Sequence, residues 1–184
     1  FRDITTANKP IHTVANLAGL KIRVSPGKIR VDTFQSLGAS PTPIALSALY
    51  TSLQTHVVDA QENPLILIDQ QKFYEVQKHL ALTHHVYNNM IHTIGVKTWA
   101  KLSPAQQDIF REESASAGNL MRKLIGDGEA DQISKLAAAG MQVTRPDLAP
   151  FRARMGPAYK RIAAYAGEDN VKTFQAMVEA SRKG

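Results

Sequence analysis

The sequence predicts an α/β fold, on three observations. Up to about residue 97, short strand-like runs alternate with helix-like runs. Glycine and proline punctuate those runs, as at Ser25-Pro26-Gly27, Gly38 and Pro64. Beyond Ser103 the apolar residues fall mainly at helical spacing. Taken in order, residues 22–24 are a strand, and 28–37 a helix stopped by Gly38 at the C′ position. Residues 41–44 are short and extended. Residues 47–55 are helical, with Leu46, Leu49, Tyr50 and Leu53 on one face. The β-branched start of 57–61 predicts a strand, and Pro64 opens the next helix in its first turn. Residues 79–85 and 90–97 read as extended, the second alternating around Ile91, Thr93, Gly95 and Lys97. Ser103-Pro104-Ala105-Gln106 combines a cap serine, an N1 proline and an N3 glutamine, so it starts a helix. Ile109, Ala117, Leu120, Leu124, Ile133 and Ala137 carry that helix to about Gly140, with a bend expected near Gly126 and Gly128. A short strand at 141–144 and helices at 150–166 and 169–182 complete the chain.

Bulk properties narrow the function. The 184 residues are 43% hydrophobic and 21% charged, an ordinary globular composition, with no apolar run near the ~20 residues of a membrane span. Cysteine is absent, which excludes disulfides and thiol chemistry. The opening on Phe1, without a signal-peptide pattern, fits a mature secreted protein and a fragment equally. The net charge of +6 comes from scattered Lys and Arg, never three in a row, and aromatics make up 7%. Neither a basic stripe nor a stacking platform is visible, so no nucleic-acid partner is expected.

The chemistry concentrates in Gly19-Leu20-Lys21-Ile22-Arg23-Val24 and Val57-Val58-Asp59-Ala60-Gln61-Glu62-Asn63-Pro64. An arginine inside an apolar strand is costly to bury unless an anion meets it. Arg23 therefore needs an internal carboxylate, Asp59 or Glu62, or an anionic ligand. Asn63, held extended before Pro64, offers a carboxamide that donates and accepts at once, or else serves as a turn or helix cap. The helix following Ser25-Pro26-Gly27-Lys28 points partial positive charge at the same region.

These segments, with Gly38-Ala39-Ser40-Pro41-Thr42-Pro43, Leu49-Tyr50-Thr51-Ser52-Leu53-Gln54 and Phe73-Tyr74-Glu75-Val76-Gln77-Lys78, form five ordered blocks. Their order and spacing resemble the dicarboxylate-binding (DctP-like) substrate-binding proteins of tripartite ATP-independent periplasmic (TRAP) transporters, along essentially the whole chain. The resemblance implies a two-lobed periplasmic-binding-protein-like fold of which this chain is the C-terminal ~60%. On that reading residues 1–88 belong to the second lobe, 89–128 are a crossing strand and long helix of the first lobe or hinge, and 129–184 return to the second lobe. The first lobe is largely missing. The implied function is periplasmic capture of an organic acid for a TRAP permease by a monomer, without enzymatic activity or cofactor. Arg23 falls where the family clamps the ligand carboxylate, and Asn63 where it places a ligand-contacting asparagine. Arg2, in the segment entering the second lobe, falls where a second carboxylate contact is common, although it stands at a chain end where fraying is expected. Glu62 is expected to orient Arg23. Ala48 and Ala60 depart from the Glu and Gly that many members carry.

Rival chemistries are weaker. His79, His84 and His85 do not share one strand face, and His56, Asp59 and Glu62 converge only on a helix, so no metal site is expected. Ser25-Pro26-Gly27-Lys28 lacks the first glycine and the Ser/Thr of a phosphate loop, and no nucleophile elbow is present. Trp99 and Tyr50 read as core anchors. An α/β enzyme that fixes a carboxylate substrate on Arg23 would need a nucleophile or a His–carboxylate pair beside it. A lobe with no ligand of its own is the remaining alternative.

Overall fold

The computed structural model describes residues 1–181. The first strand, β1 (Arg2–Thr6), leads through a 3-10 turn at Val14–Leu17 into β2 (Lys21–Val24) and helix α1 (Lys28–Ser36). Then follow β3 (Ser40–Pro43), α2 (Leu49–Gln54), β4 (Ala60–Asn63), α3 (Leu65–Gln70) and β5 (His79–Val86). The remainder is helical apart from one strand: α4 (Val96–Trp99), α5 (Pro104–Ala138), β6 (Gln142–Thr144), α6 (Ala149–Ala153), α7 (Gly156–Ala166) and α8 (Glu168–Ser181). Arg182, the expected last residue of the final helix, lies outside the described residues.

The strands form one six-stranded sheet in the order β3-β2-β4-β1-β5-β6. β2 runs parallel to β3 and β4, and β6 parallel to β5, while β1 is antiparallel to both its neighbours. Helices therefore cover both faces, as parallel crossovers require. One apolar cluster holds Ile4, Ile22, Val24, Phe34, Ala60, Ala81 and Phe151; the other holds Leu49, Leu53, Ile68, Phe73, Leu80, Leu82 and Leu136. Ala81 belongs to one cluster and its neighbours Leu80 and Leu82 to the other, the period of two that a strand imposes.

Helix α5 starts with the expected reciprocal cap: Ser103 Oγ accepts from the Gln106 N–H, and Gln106 Oε1 accepts from the Ser103 N–H. Its 35 residues extend about 50 Å at the α-helical rise. It continues through Gly126 and Gly128 as one helix. Leu136 is its only fully buried residue. Gly38, with φ of 89°, takes the left-handed position at the end of α1, where a side chain would be strained.

Four expectations shift. The strand expected at 57–61 starts at Ala60, because the chain is still turning at His56, which has a φ of 57°. Pro64 caps α3 in an extended conformation (ψ 148°) instead of sitting inside its first turn. Residues 90–97 form no strand: they carry the apolar alternation but pair with no neighbouring strand, and the ladder is what stabilises a strand. The single helix expected over 150–166 is two, α6 and α7, parted at Arg154 and Met155. Tyr50 packs against the second core cluster. Trp99 belongs to neither cluster and instead stacks edge-on against Phe110, under Arg111. Among the described residues no helix is long and apolar enough to cross a membrane.

Candidate functional site

The sheet order brings three arginines to one end of the molecule. Arg23 is the third residue of β2, Arg2 the first of β1, and Arg30 lies in the first turn of α1. The parallel strands β2 and β4 finish here at Val24 and Asn63, and the carboxyl ends of parallel strands are where open α/β sheets present ligand-binding crevices.

Arg23 is 1% exposed. Its Nε donates to the Ile44 carbonyl oxygen at 2.7 Å, which fixes the plane of the guanidinium. Nη1 is buried and makes no hydrogen bond among the described residues. Burial pushes the Arg23 pKa below its ordinary value, the charge of Glu62 opposes that, and the charges of Arg2 and Arg30 add to it. Arginine nonetheless stays protonated in proteins, so a fixed, desolvated cation is left with an unused donor.

Glu62 does not serve Arg23. In the parallel register Arg23 stands beside Gln61, so Glu62 faces the opposite side of the sheet. Glu62 is wholly buried and bonded to Arg2 through Nε and, at 2.9 Å, through Nη2. That Nη2 also reaches the Glu62 carbonyl oxygen at 2.6 Å and Asn63 Oδ1 at 2.9 Å. The expected partnership of Glu62 with Arg23 is thus corrected to one with Arg2. Arg2 is only 4% exposed and pinned within β1, so it does not fray.

Asn63 Nδ2 donates to Gln61 Oε1 at 2.6 Å, Gln61 Nε2 to Thr5 Oγ1 at 2.8 Å, and Thr5 to Gln77 Oε1 at 3.0 Å. The network bonds each polar group to the next across two strands, β4 and β1, and the turn before β5, which holds the Asn63 carboxamide rigid.

Two participants had no signal in the sequence. His85 Nε2 lies 3.3 Å from Glu62 Oε2, while its Nδ1 is 2.7 Å from Thr83 Oγ1. Arg30 Nη1 lies 3.7 Å from Glu62 Oε1, too far for a hydrogen bond, and is likewise buried without one. Burial pushes the Glu62 pKa upward, but hydrogen bonds from His85 and Arg2 and their charges outweigh it, holding the carboxyl below its ordinary 4.5. With Glu62 ionised, the Arg2 and Arg30 guanidiniums face one carboxylate while Arg23 stands on the other side of the sheet, and this end of the sheet carries a local excess of positive charge.

Other candidates do not assemble. His56 meets Asp59 at 4.0 Å on the surface, far from the buried Glu62 system. His84 contacts Asp3 and Glu129. Among the described residues no group of three or more His, Asp or Glu side chains has the geometry to hold a metal ion. Ala48 is exposed, and Ala60 is buried in the first core cluster.

The chain is 41% identical over 173 residues to the sialic acid-binding periplasmic protein SiaP of Vibrio cholerae, covering 94% of this chain and 54% of that protein. It is 37% identical over 143 residues to the 2,3-diketo-L-gulonate-binding periplasmic protein YiaO of Escherichia coli, covering 78% of this chain and 44% of the other. A TRAP periplasmic solute-binding protein from Polaromonas sp. JS666, solved with D-erythronate, superposes with a TM-score of 0.87 at 38% identity, over 96% of this chain and 58% of that one. The chain spans about half the length of the curated relatives it matches. The model of the bacterial extracellular solute-binding proteins, family 7, matches residues 1–165, and the chain belongs to that family.

Proposed function

We propose that this chain is the carboxylate-holding portion of a periplasmic solute-binding protein that captures a small organic acid and passes it to a TRAP-type permease, acting as a monomer. One observation carries the reading: Arg23, buried and oriented by the Ile44 carbonyl, keeps Nη1 free of any hydrogen bond among the described residues. A planar fork of this kind matches a carboxylate. Each charge-assisted bond contributes about 1.5–3 kcal/mol net. A micromolar ligand needs about 8.2 kcal/mol in total, so the clamp supplies a large part and other polar contacts the rest.

Arg2 and Asn63 border the same strand ends, and their bonding to Glu62 and Gln61 keeps them in place for a ligand. The relatives support an acid as ligand, since those named above are described with sialic acid, diketogulonate and erythronate. Family and relatives are solute-binding proteins, not enzymes. Their greater length supports a division of labour within the chain. Residues 1–88 and 129–184 would form the lobe bearing Arg23, and 89–128 would belong to the opposing lobe or hinge, with ligand held between them.

The test is a thermal-shift panel of organic acids on the natural polypeptide that carries this sequence, beside its Arg23→Ala variant. A saturable upward shift with one class of acid, lost in the variant, is expected. The absence of any shift on a folded protein, or a shift that survives in the variant, would overturn the assignment.

A further inference from the structure

We propose that Thr5 and Gln77 are positioning residues: through a one-way chain of hydrogen bonds they hold Asn63 so that it meets the ligand as a donor. The proposal rests on the reading that an acid is bound where β2 and β4 finish, and it deepens that reading. Arg23 pairs in register with Gln61, and Asn63 lies two residues further along β4, so the three side chains share one face of the sheet. Thr5 stands opposite Gln61 on β1 and shares that face.

The ends of the chain impose its direction. Arg2 Nη2 donates to Asn63 Oδ1 at 2.9 Å, Asn63 Nδ2 to Gln61 Oε1 at 2.6 Å, and Gln61 Nε2 to Thr5 Oγ1 at 2.8 Å. Thr5 Oγ1 then donates to Gln77 Oε1 at 3.0 Å, and Gln77 Nε2 to the Val76 carbonyl oxygen at 3.0 Å. A guanidinium only donates and a carbonyl oxygen only accepts. Turning over any one carboxamide would therefore set two donors or two acceptors face to face. Thr5, Gln61 and Gln77 are wholly buried and Asn63 is 2% exposed, so water does not replace a lost partner. The Thr5 hydroxyl is the one link that can reverse by simple rotation. Gln77, locked by the Val76 carbonyl, keeps that hydroxyl donating away from Gln61.

At the other end, Asn63 has Oδ1 engaged by Arg2 and one Nδ2 hydrogen engaged by Gln61. A carboxamide carries two N–H bonds, and Nδ2 makes no second hydrogen bond among the described residues. That N–H is the group left for a ligand oxygen, on the face that also carries Arg23 with its unbonded Nη1. A carboxamide turned the other way would present its oxygen and repel the same ligand atom.

The experiment uses asparagine-selective isotope labelling of the natural polypeptide carrying this sequence, with the variants Thr5→Val, Thr5→Ser and Gln77→Met. Thr5→Val keeps the shape and removes the hydroxyl; Thr5→Ser keeps the hydroxyl and removes a methyl group. The Asn63 carboxamide resonances, identified by their loss in Asn63→Ser, are read first without ligand. They are expected to shift, and to exchange about ten-fold faster, in Thr5→Val and Gln77→Met, and to stay as in wild type in Thr5→Ser. Isothermal titrations with D-erythronate and sialic acid follow. Affinity for the acid that binds should fall about 3- to 10-fold in Thr5→Val and Gln77→Met. It should hold within about two-fold in Thr5→Ser, although the lost buried methyl lowers that variant's melting temperature. Unchanged Asn63 resonances in Thr5→Val and Gln77→Met overturn the proposal, as does affinity that follows melting temperature across the two Thr5 variants. Failure of wild type to bind either acid overturns the ligand-facing role of Asn63. Undiminished binding by Arg23→Ala overturns the clamp alone, since the Thr5 pair decides the role of the chain.

Discussion

At the residue scale, the site depends on which guanidinium nitrogens are already bonded. Arg2 is committed to Glu62 and Asn63, whereas Arg23 spends only Nε on the protein. Arg23→Lys keeps the charge and loses the fork, so it should weaken acid binding by about 10- to 100-fold, read by titration. Unaltered affinity would remove Arg23 from the site. Glu62→Gln acts differently, because it breaks a buried pair and leaves Arg2 uncompensated. Such a loss costs about 3–5 kcal/mol, a fall in melting temperature on the order of 10 °C for a chain of this size. Its pH signature has a definite sign. The folded-state pKa of Glu62 lies below the ordinary 4.5, so its contribution is full above that value and disappears as pH falls through the folded pKa. Wild type should therefore lose stability in acid more steeply than Glu62→Gln, and equal slopes below pH 4.5 in denaturant titrations would contradict the pairing. Arg23 was legible in the sequence because an arginine among Ile22 and Val24 has to be explained. The Glu62 assignment failed because closeness in sequence motif says nothing about which face of the sheet a neighbour occupies. Arg30 and His85 had no signal at all, since only the β4-β1-β5 order and the seating of α1 bring them to Glu62.

At the element scale, local capping and long-range packing make different demands. The start of α5 was readable because a capping box is a local chemical pattern, complete within Ser103–Gln106. The 90–97 segment was misread because its alternation is real but has no ladder to join, and pairing is a property of two segments. Strand β4 shifted for a related reason: Val57 and Val58 favour a strand, yet His56 is still in the left-handed turn that follows α2. Helix α5 gives a sharp contrast within one element. Leu136 is wholly buried in the second core cluster, and Leu124 is 62% exposed. Leu136→Ala should cost about 2–5 kcal/mol in urea unfolding of the 184-residue chain, and Leu124→Ala less than about 0.5 kcal/mol. Similar costs for both would mean that α5 is seated on the sheet along a different face.

At the scale of the whole molecule, exposed apolar residues recur on α7 and α8, at Tyr159, Tyr165, Phe174 and Met177, and form their longest series in residues 87–125. Tyr87, Met90, Ile91, Val96, Ile109, Leu120, Met121, Leu124 and Ile125 are all more than 40% exposed, whereas β1, β2 and β4 are almost wholly buried. Large exposed apolar surface on a folded chain marks a contact that the chain does not itself make. The relatives run to nearly twice this length, and the exposed stretch falls largely within 89–128, the part proposed for the opposing lobe or hinge. Amide hydrogen exchange separates this from an ordinary solvated helix. In the isolated 184-residue chain, residues 87–125 should exchange quickly through local opening, because few buried contacts hold them, while β1, β2 and β4 exchange slowly. In the natural polypeptide carrying this sequence, the gain in protection should be concentrated in 87–125 and leave the Arg23 sheet unchanged. Protection spread evenly along the chain, or no gain at 87–125, would assign those residues to the same cooperative unit as the sheet and remove the proposed division.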